Sequence, residues 1–530
     1  MMKTSIATAL AFAAATSVSF TGRAIGQDET DQRFGTVHFE TSCNEAAQRR
    51  FDRGMRYQHS FWYQSSKEIF EDALKADPEC AIAYWGIALS LLYNPHSPPP
   101  APSLPAGLAA IEKGKAVGAK TPRERDYLEA LAVFYTDYDK VPHGARVQKY
   151  LKAMEALAQK YPNDDEAQIF YAITLNVAAS ANDKTYANQL KGAAILDPIF
   201  RRQPRHPGVA HYLIHLHDTP ALAEKGLEAA RRYAGIAPAA PHAQHMPSHI
   251  FTRVGAWKDS IASNTASAKA AKDGKDFDEQ LHAMDYMVYA HLQLAQDDKA
   301  RAVVDDMVAV SGMNPDRFVG PYALAVSPAR YAIERGDWKG AAALPVRPAK
   351  FAYADAMTHF ARAIGAARSG DPAAAKDDIA KLAELREKLR EAKDAYWAEQ
   401  VDIQWQVASA WVLSAEGKHD EALKAMGAAA DAEDRTEKHP VTPGVPIPAR
   451  ELYGAMLLDR GMAGEALASF EATLRKEPNR FNAIAGAAKA AERLGDEGKA
   501  REYYRKLAAL ASEADTVRPE LVIARKYAAN

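Results

Sequence analysis

Two stretches near opposite ends of the chain share one spacing of glycine, large aromatic, alanine and proline. In RRFDRGMRYQHSFWYQSSKEIFEDALKADPE, Gly54, Tyr57, Phe70, Ala73 and Pro78 fall at offsets 0, 3, 16, 19 and 24. In ELYGAMLLDRGMAGEALASFEATLRKEPNR, Gly454, Leu457, Ala466, Phe470 and Pro478 fall at 0, 3, 12, 16 and 24. This spacing describes a helical hairpin: a first helix, a tight turn, and a second helix closed by proline. The small residues let the two helices approach and the aromatic fills the gap to the next hairpin, so no unit buries its apolar face alone. A further unit follows in NAIAGAAKAAERLGDEGKAREYYRKLAAL, and weaker copies carry turn signals at VGAWKDS, ERGDWKG, RSGDPAA and AEGKHDE. From Ala46 onward the apolar spacing is helical, good helix formers dominate, and alternating β-branched runs are scarce. A chain of 530 residues exceeds the usual size of one core, which an elongated stack accommodates.

These positions resemble the tetratricopeptide repeat (TPR) family. The resemblance implies an all-α fold, a right-handed TPR-type superhelical solenoid of about ten helical hairpins. It also implies that first helices line a concave groove that takes a peptide or partner protein. More narrowly, DPECAIAYWGIALS, HAQHMPSHIFTRVGAW and PVTPGVPIPARELYGAMLL look like segments of secreted bacterial TPR-repeat proteins with a His-rich central segment. Membership implies a fold and a groove, not a reaction.

Residues 1–26 read as a secretory signal, with Lys3 as its positive region, an apolar run from Ile6 to Phe20, and cleavage near Gly26. The product is then periplasmic or secreted, and no second run is long enough to span a membrane. Residues 27–45 form an N-terminal extension and 46–93 the first TPR unit or units. Residues 108–200 are degenerate TPR-like helices, 201–296 a His-rich TPR pair with the following helix, 297–435 degenerate hairpins, and 449–530 the C-terminal units. NPHSPPPAPSLPAG (94–107) and TEKHPVTPGVPIP (436–448) hold too much proline for helix and read as lids or spacers. Cys43 and Cys80, the only cysteines, fit a disulfide clamping the first unit in an oxidising compartment. Two buried thiols are the alternative.

Seven of the sixteen histidines lie in the 44 residues from His206 to His249. If Pro238 closes a hairpin at repeat position 32, that hairpin begins at Pro207 and the next at Pro241. His211 and His215 then take positions 5 and 9 of one unit, and His245 and His249 the same positions of the next, 34 residues on. Each pair is spaced i, i+4, so both rings share a helix face. His242 adds position 2, and in the following unit His282, Asp285 and Tyr289 take positions 2, 5 and 9. By the same register His217 and His291 pack against their own second helices. Imidazoles at this spacing suit a transition metal, copper or zinc ahead of iron or nickel. Asp285 is a candidate ligand or an acceptor that orients one. Three other readings use no metal: a peptide or small-anion groove in which histidines donate hydrogen bonds, acid/base chemistry, and a satisfied core. Pro247 either kinks its helix or begins it, which would leave His242 and His245 on a loop.

Lys and Arg (66) nearly balance Asp and Glu (68) without a basic run, so nucleic acid and anionic membrane are disfavoured. Nucleotide-binding loops, HExxH and a serine nucleophile elbow are missing from the sequence. Trp85 takes a groove position, where packing is its simplest role, and Glu451 beside the second proline stretch reads as a capping ion pair or a groove contact. The expected function is a secreted TPR solenoid whose groove binds a transition metal through the histidine cluster, with hydrolytic or oxidative chemistry. The alternative is a metal-free scaffold for a peptide, protein or small-molecule ligand.

Overall fold

The computed structural model describes residues 32–180 and 182–529; the expected secretory signal lies outside them. Among the described residues, regular structure is helical throughout, and successive helices pair into hairpins from Glu45–His59 with Tyr63–Ala76 to Phe481–Arg493 with Glu497–Leu510. First helices also pack on the first helix of the next hairpin, giving a TPR-type solenoid. Its interlock is the same at both ends. A Cβ on Gly54 or on Gly86 would stand 2.7 Å from the Phe70 ring. Gly454 and Gly486 hold Phe470 in the same way. One aromatic thus wedges between two first helices that only glycine allows so close. Among the described residues no helix is long and apolar enough to cross a membrane.

Cys43 and Cys80 are joined by a disulfide that ties the entry of the first hairpin to the entry of the second. Trp85 is core rather than groove: it is 1% exposed and packs on Phe39, Tyr127 and Phe170. The first proline stretch ends sooner than its composition suggests. A helix begins at Ser103, because Pro105 falls in the first turn, where the missing N–H has no partner to lose. The second stretch is non-helical up to Ala449.

Among the described residues, segments near both ends return to the middle. The extension crosses the central hairpins, with Thr36 N–H donating to Arg205 O at 3.0 Å and Ala239 N–H to Arg33 O at 3.3 Å. From the other end, Trp257 Nε1–H donates to Asn479 O at 2.8 Å, and Gln293 Oε1 accepts from Phe481 N–H at 3.0 Å. Arg518 pairs with Asp297. The wrapped centre contains helices Pro207–His217 and Pro247–Arg253, in which every residue is buried. The repeat implies a concave groove with the proline stretches as lids or spacers; here the histidines on its inner face are enclosed.

Candidate metal centre

His206 caps the helix Pro207–His217 through Nδ1, and Pro207 supplies its first turn, so His211 and His215 project from one face a turn apart. The next first helix is built in two pieces, Pro241–His245 and Pro247–Arg253. Met246 between them keeps helical angles (φ −53°, ψ −36°). Pro247 therefore starts the second piece without turning the axis away, and His242, His245 and His249 stay on one side. Helix Phe277–Gln293 brings His282.

The six rings sort into two triads. His211, His215 and His242 form one, and His245, His249 and His282 the other; within each, a ring nitrogen from every member lies within 4.8 Å of the others. Each triad takes the i, i+4 pair of one hairpin and the position-2 histidine of the next. The unit of the site is thus pair plus successor, where side-by-side pairs were expected.

Hydrogen bonds on the far side of three rings fix what the near side presents. His211 Nδ1–H donates to the His59 carbonyl at 2.7 Å. Asn264 donates its amide to Ser260 O at 2.8 Å, so its oxygen accepts from His245 Nδ1–H at 2.6 Å. His249 Nδ1–H donates to Asp218 at 2.9 Å. A neutral imidazole that donates at Nδ1 bears a lone pair at Nε2. His245 Nε2 and His249 Nε2 face each other at 2.9 Å. His211 Nε2 stands 3.1 Å from His215 Nε2 and 3.2 Å from His242 Nε2. His242 turns its Nδ1 toward Glu279, 3.6 Å away.

Burial disfavours the charged form of five of the six rings. It holds His211, His215 and His245 well below the ordinary histidine value, with neighbouring imidazoles adding to the drop. Burial also lowers His249 to about 4, against the pull of Asp218, and His282 to about 3, against Glu279. Asp218 stays ionised far below the usual carboxylate range despite its own burial, because Lys438, Arg253 and His249 converge on it.

The triads lie side by side, with ring centroids 6.0 Å apart for His242 and His245 and 6.1 Å for His215 and His249. Both proline stretches reach them. The His96 ring packs on His215 at 4.6 Å from the first. From the second, Lys438 pairs with Asp218 at 2.8 Å and Val441 O accepts from Tyr286, whose hydroxyl is 3.3 Å from His249. These segments cover the site rather than space the repeats.

Asp285 is not brought to either triad. Its carboxylate is taken by Arg330 and by Ser327 Oγ–H at 3.0 Å. Tyr289 and Glu451 also lie elsewhere, together on Arg480: Tyr289 OH accepts at 2.7 Å and Glu451 at 2.8 Å. His291 meets Gln296 at 2.8 Å, and His217 is apart from both triads. Sequence spacing gives no sign of Asn264, Asp218, Glu279 or His96, since all four sit outside the repeat positions that carry the histidines. A third group, His59 and His206 on either side of Glu166 at 3.0 and 2.9 Å, lies behind His211.

No protein-family model matches the chain, and no curated protein matches it. Solved structures similar to it include a human IFIT1 dimer with m7Gppp-AAAA, at 11% identity over 82% of this chain and 90% of that one, TM-score 0.36. Another is the APC/C hetero-tetramer Cut9-Hcn1, at 11% identity over 90% and 96%, TM-score 0.30. Yeast Tom70 follows at 12% identity over 91% and 88%, TM-score 0.27. At these scores the likeness bears on neither site nor partner.

Proposed function

We propose that this TPR-type scaffold is a periplasmic or secreted metalloprotein that holds transition-metal ions in its two histidine triads. The observation that carries this is the pair of facing acceptors: His245 Nε2 and His249 Nε2 stand 2.9 Å apart with both Nδ1–H groups already donated. Lone pairs repel at that separation unless a cation lies between them. Nitrogens bound to one tetrahedral ion at about 2.0–2.1 Å stand roughly 3.3 Å apart, close to the 3.1 and 3.2 Å of the other triad. A proton is a poor occupant at neutral pH in a site this buried. An all-imidazole donor set suits copper, zinc, iron or nickel, and availability outside the cytoplasm puts copper and zinc first. When bound, an ion with three imidazoles and a free position supplies Lewis-acid or redox chemistry. The disulfide accords with an oxidising compartment. A peptide scaffold is the weaker reading, because the histidines expected to line the groove are 0–7% exposed, apart from the partly buried His242.

The test is elemental analysis of exported protein purified without a histidine tag, with His211→Ala and His245→Ala variants alongside. The parent should carry close to two ions, and each variant should lose one while keeping its helical signal. A parent without metal after reconstitution with copper and with zinc overturns the reading.

A further inference from the structure

Beside the first triad lies a partly open cavity that none of the foregoing uses. Its walls include Phe61, Tyr63, Tyr93, Phe134, Phe170 and Tyr212, and its lining is mostly apolar. Two wall residues, Phe61 and Tyr93, hold φ of +55° and +54°. Side chains rarely adopt that region, and such strain persists where surrounding structure enforces a ring position. Several polar side chains interrupt the apolar lining, and two of them bear on a ligand. The Tyr63 hydroxyl and His143 Nδ1 are buried without a hydrogen-bond partner, and both residues line the cavity. Buried polar atoms left unpaired are rare in native structures.

One ring divides this space from the triad. Phe61 lines the cavity and packs on His211 at 4.3 Å, His242 at 5.1 Å and His215 at 5.6 Å. The first proline stretch makes the same bridge, since Pro95 and Ser97 line the cavity on either side of His96, which packs on His215.

We infer that the cavity binds a small phenol, its ring held edge and face by the aromatic walls and its hydroxyl engaged by Tyr63 or His143. Aromatic walls favour an aromatic occupant. A phenolic hydroxyl, able both to donate and to accept, suits a tyrosine hydroxyl and a neutral imidazole. The role of such a ligand as a substrate rests on the metal reading above; its binding does not. The occupant lies one ring's thickness from the first triad, which makes Phe61 the partition between ligand and ion.

Isothermal titration of the metal-stripped full chain with 4-methylphenol, and with toluene for comparison, tests this. The phenol should bind about fivefold more tightly than toluene, the increment of one neutral hydrogen bond. The double variant Tyr63→Phe, His143→Phe, which removes both polar atoms, should bring the two ligands close to parity. Val177→Trp, at a lining position that is only partly buried, should abolish binding of both while leaving metal content and helical signal unchanged. Equal affinity of the parent for phenol and toluene, absence of phenol binding, or parent-like binding by Val177→Trp would each overturn the inference. Phenol binding of the expected pattern in a chain that takes up no metal would leave the cavity standing and remove the metal reading alone.

Discussion

Asn264 touches the second triad from behind, and its effect is disproportionate to its size. Its amide is pinned by Ser260 O, so its oxygen can only accept, and His245 is left to present Nε2 to the triad. Asn264→Ala frees the ring to rotate and to carry its proton on either nitrogen. Loss of such a partner lowers metal affinity by about 10–100-fold. Competition with a chromophoric chelator should show that loss in one of two ions, and Asn264→Asp, which still accepts, should recover most of it. At this scale the clustering residues were legible and their supports were not. The repeat register identifies His211, His215, His242, His245, His249 and His282, because each falls on a position facing inward. It also nominates Asp285, wrongly placed because Arg330, 45 residues on, claims the carboxylate. A periodic pattern reports which way a side chain faces and is silent about partners contributed by another hairpin.

Among the elements, the proline-rich segments are the least legible. Their composition says that they are not helix; it does not say where they go, and what they carry to the site is one His, one Lys and one backbone carbonyl. The second segment is held at its end by Glu433, whose carboxylate accepts from Ala449 N–H at 2.8 Å where the next helix begins. Burial pushes this carboxyl from 4.5 up to about 7, with Glu477 and Asp434 adding to the rise and the nearby Lys476 and the Ala449 N–H opposing it. A carboxyl raised on folding stabilises fully below its unfolded value, and that contribution is lost as pH rises through the folded value. From about pH 4.5 to about pH 7 the parent should therefore lose up to about 3 kcal/mol relative to Glu433→Gln. Melting temperatures of both proteins at about pH 5 and about pH 8 measure it as a difference, which cancels the opposite trend from buried neutral histidines. A parent and variant with parallel pH profiles would show that Glu433 is ionised in the folded chain.

A stack of hairpins coupled only to neighbours unfolds piecemeal, because each interface is local. This molecule departs from that limit. Hairpins more than two hundred residues apart meet through Trp257 and Asn479 and through Asp297 and Arg518, and Lys184 pairs with Glu437 at 2.7 Å. The repeat spacing foretells each hairpin and its nearest contact, whereas closure depends on the summed rotation of many units and on side chains that no period relates. Arg480 is the centre of one closing contact. It is 0% exposed and donates to Glu334 at 2.6 Å, to Glu451 at 2.8 Å and to Tyr289 OH at 2.7 Å. Arg480→Met leaves two buried carboxylates without their cation, a loss of about 3–5 kcal/mol for a broken buried pair. The parent should melt in one cooperative calorimetric transition. In the variant, residues 449–530 should separate as an earlier transition, while the histidine centre melts later, since its own hairpins and the N-terminal extension remain packed around it. A parent that already melts in several independent steps would mean that the long-range contacts add little to nearest-neighbour stacking, and that the histidine centre owes its burial to its own hairpins alone.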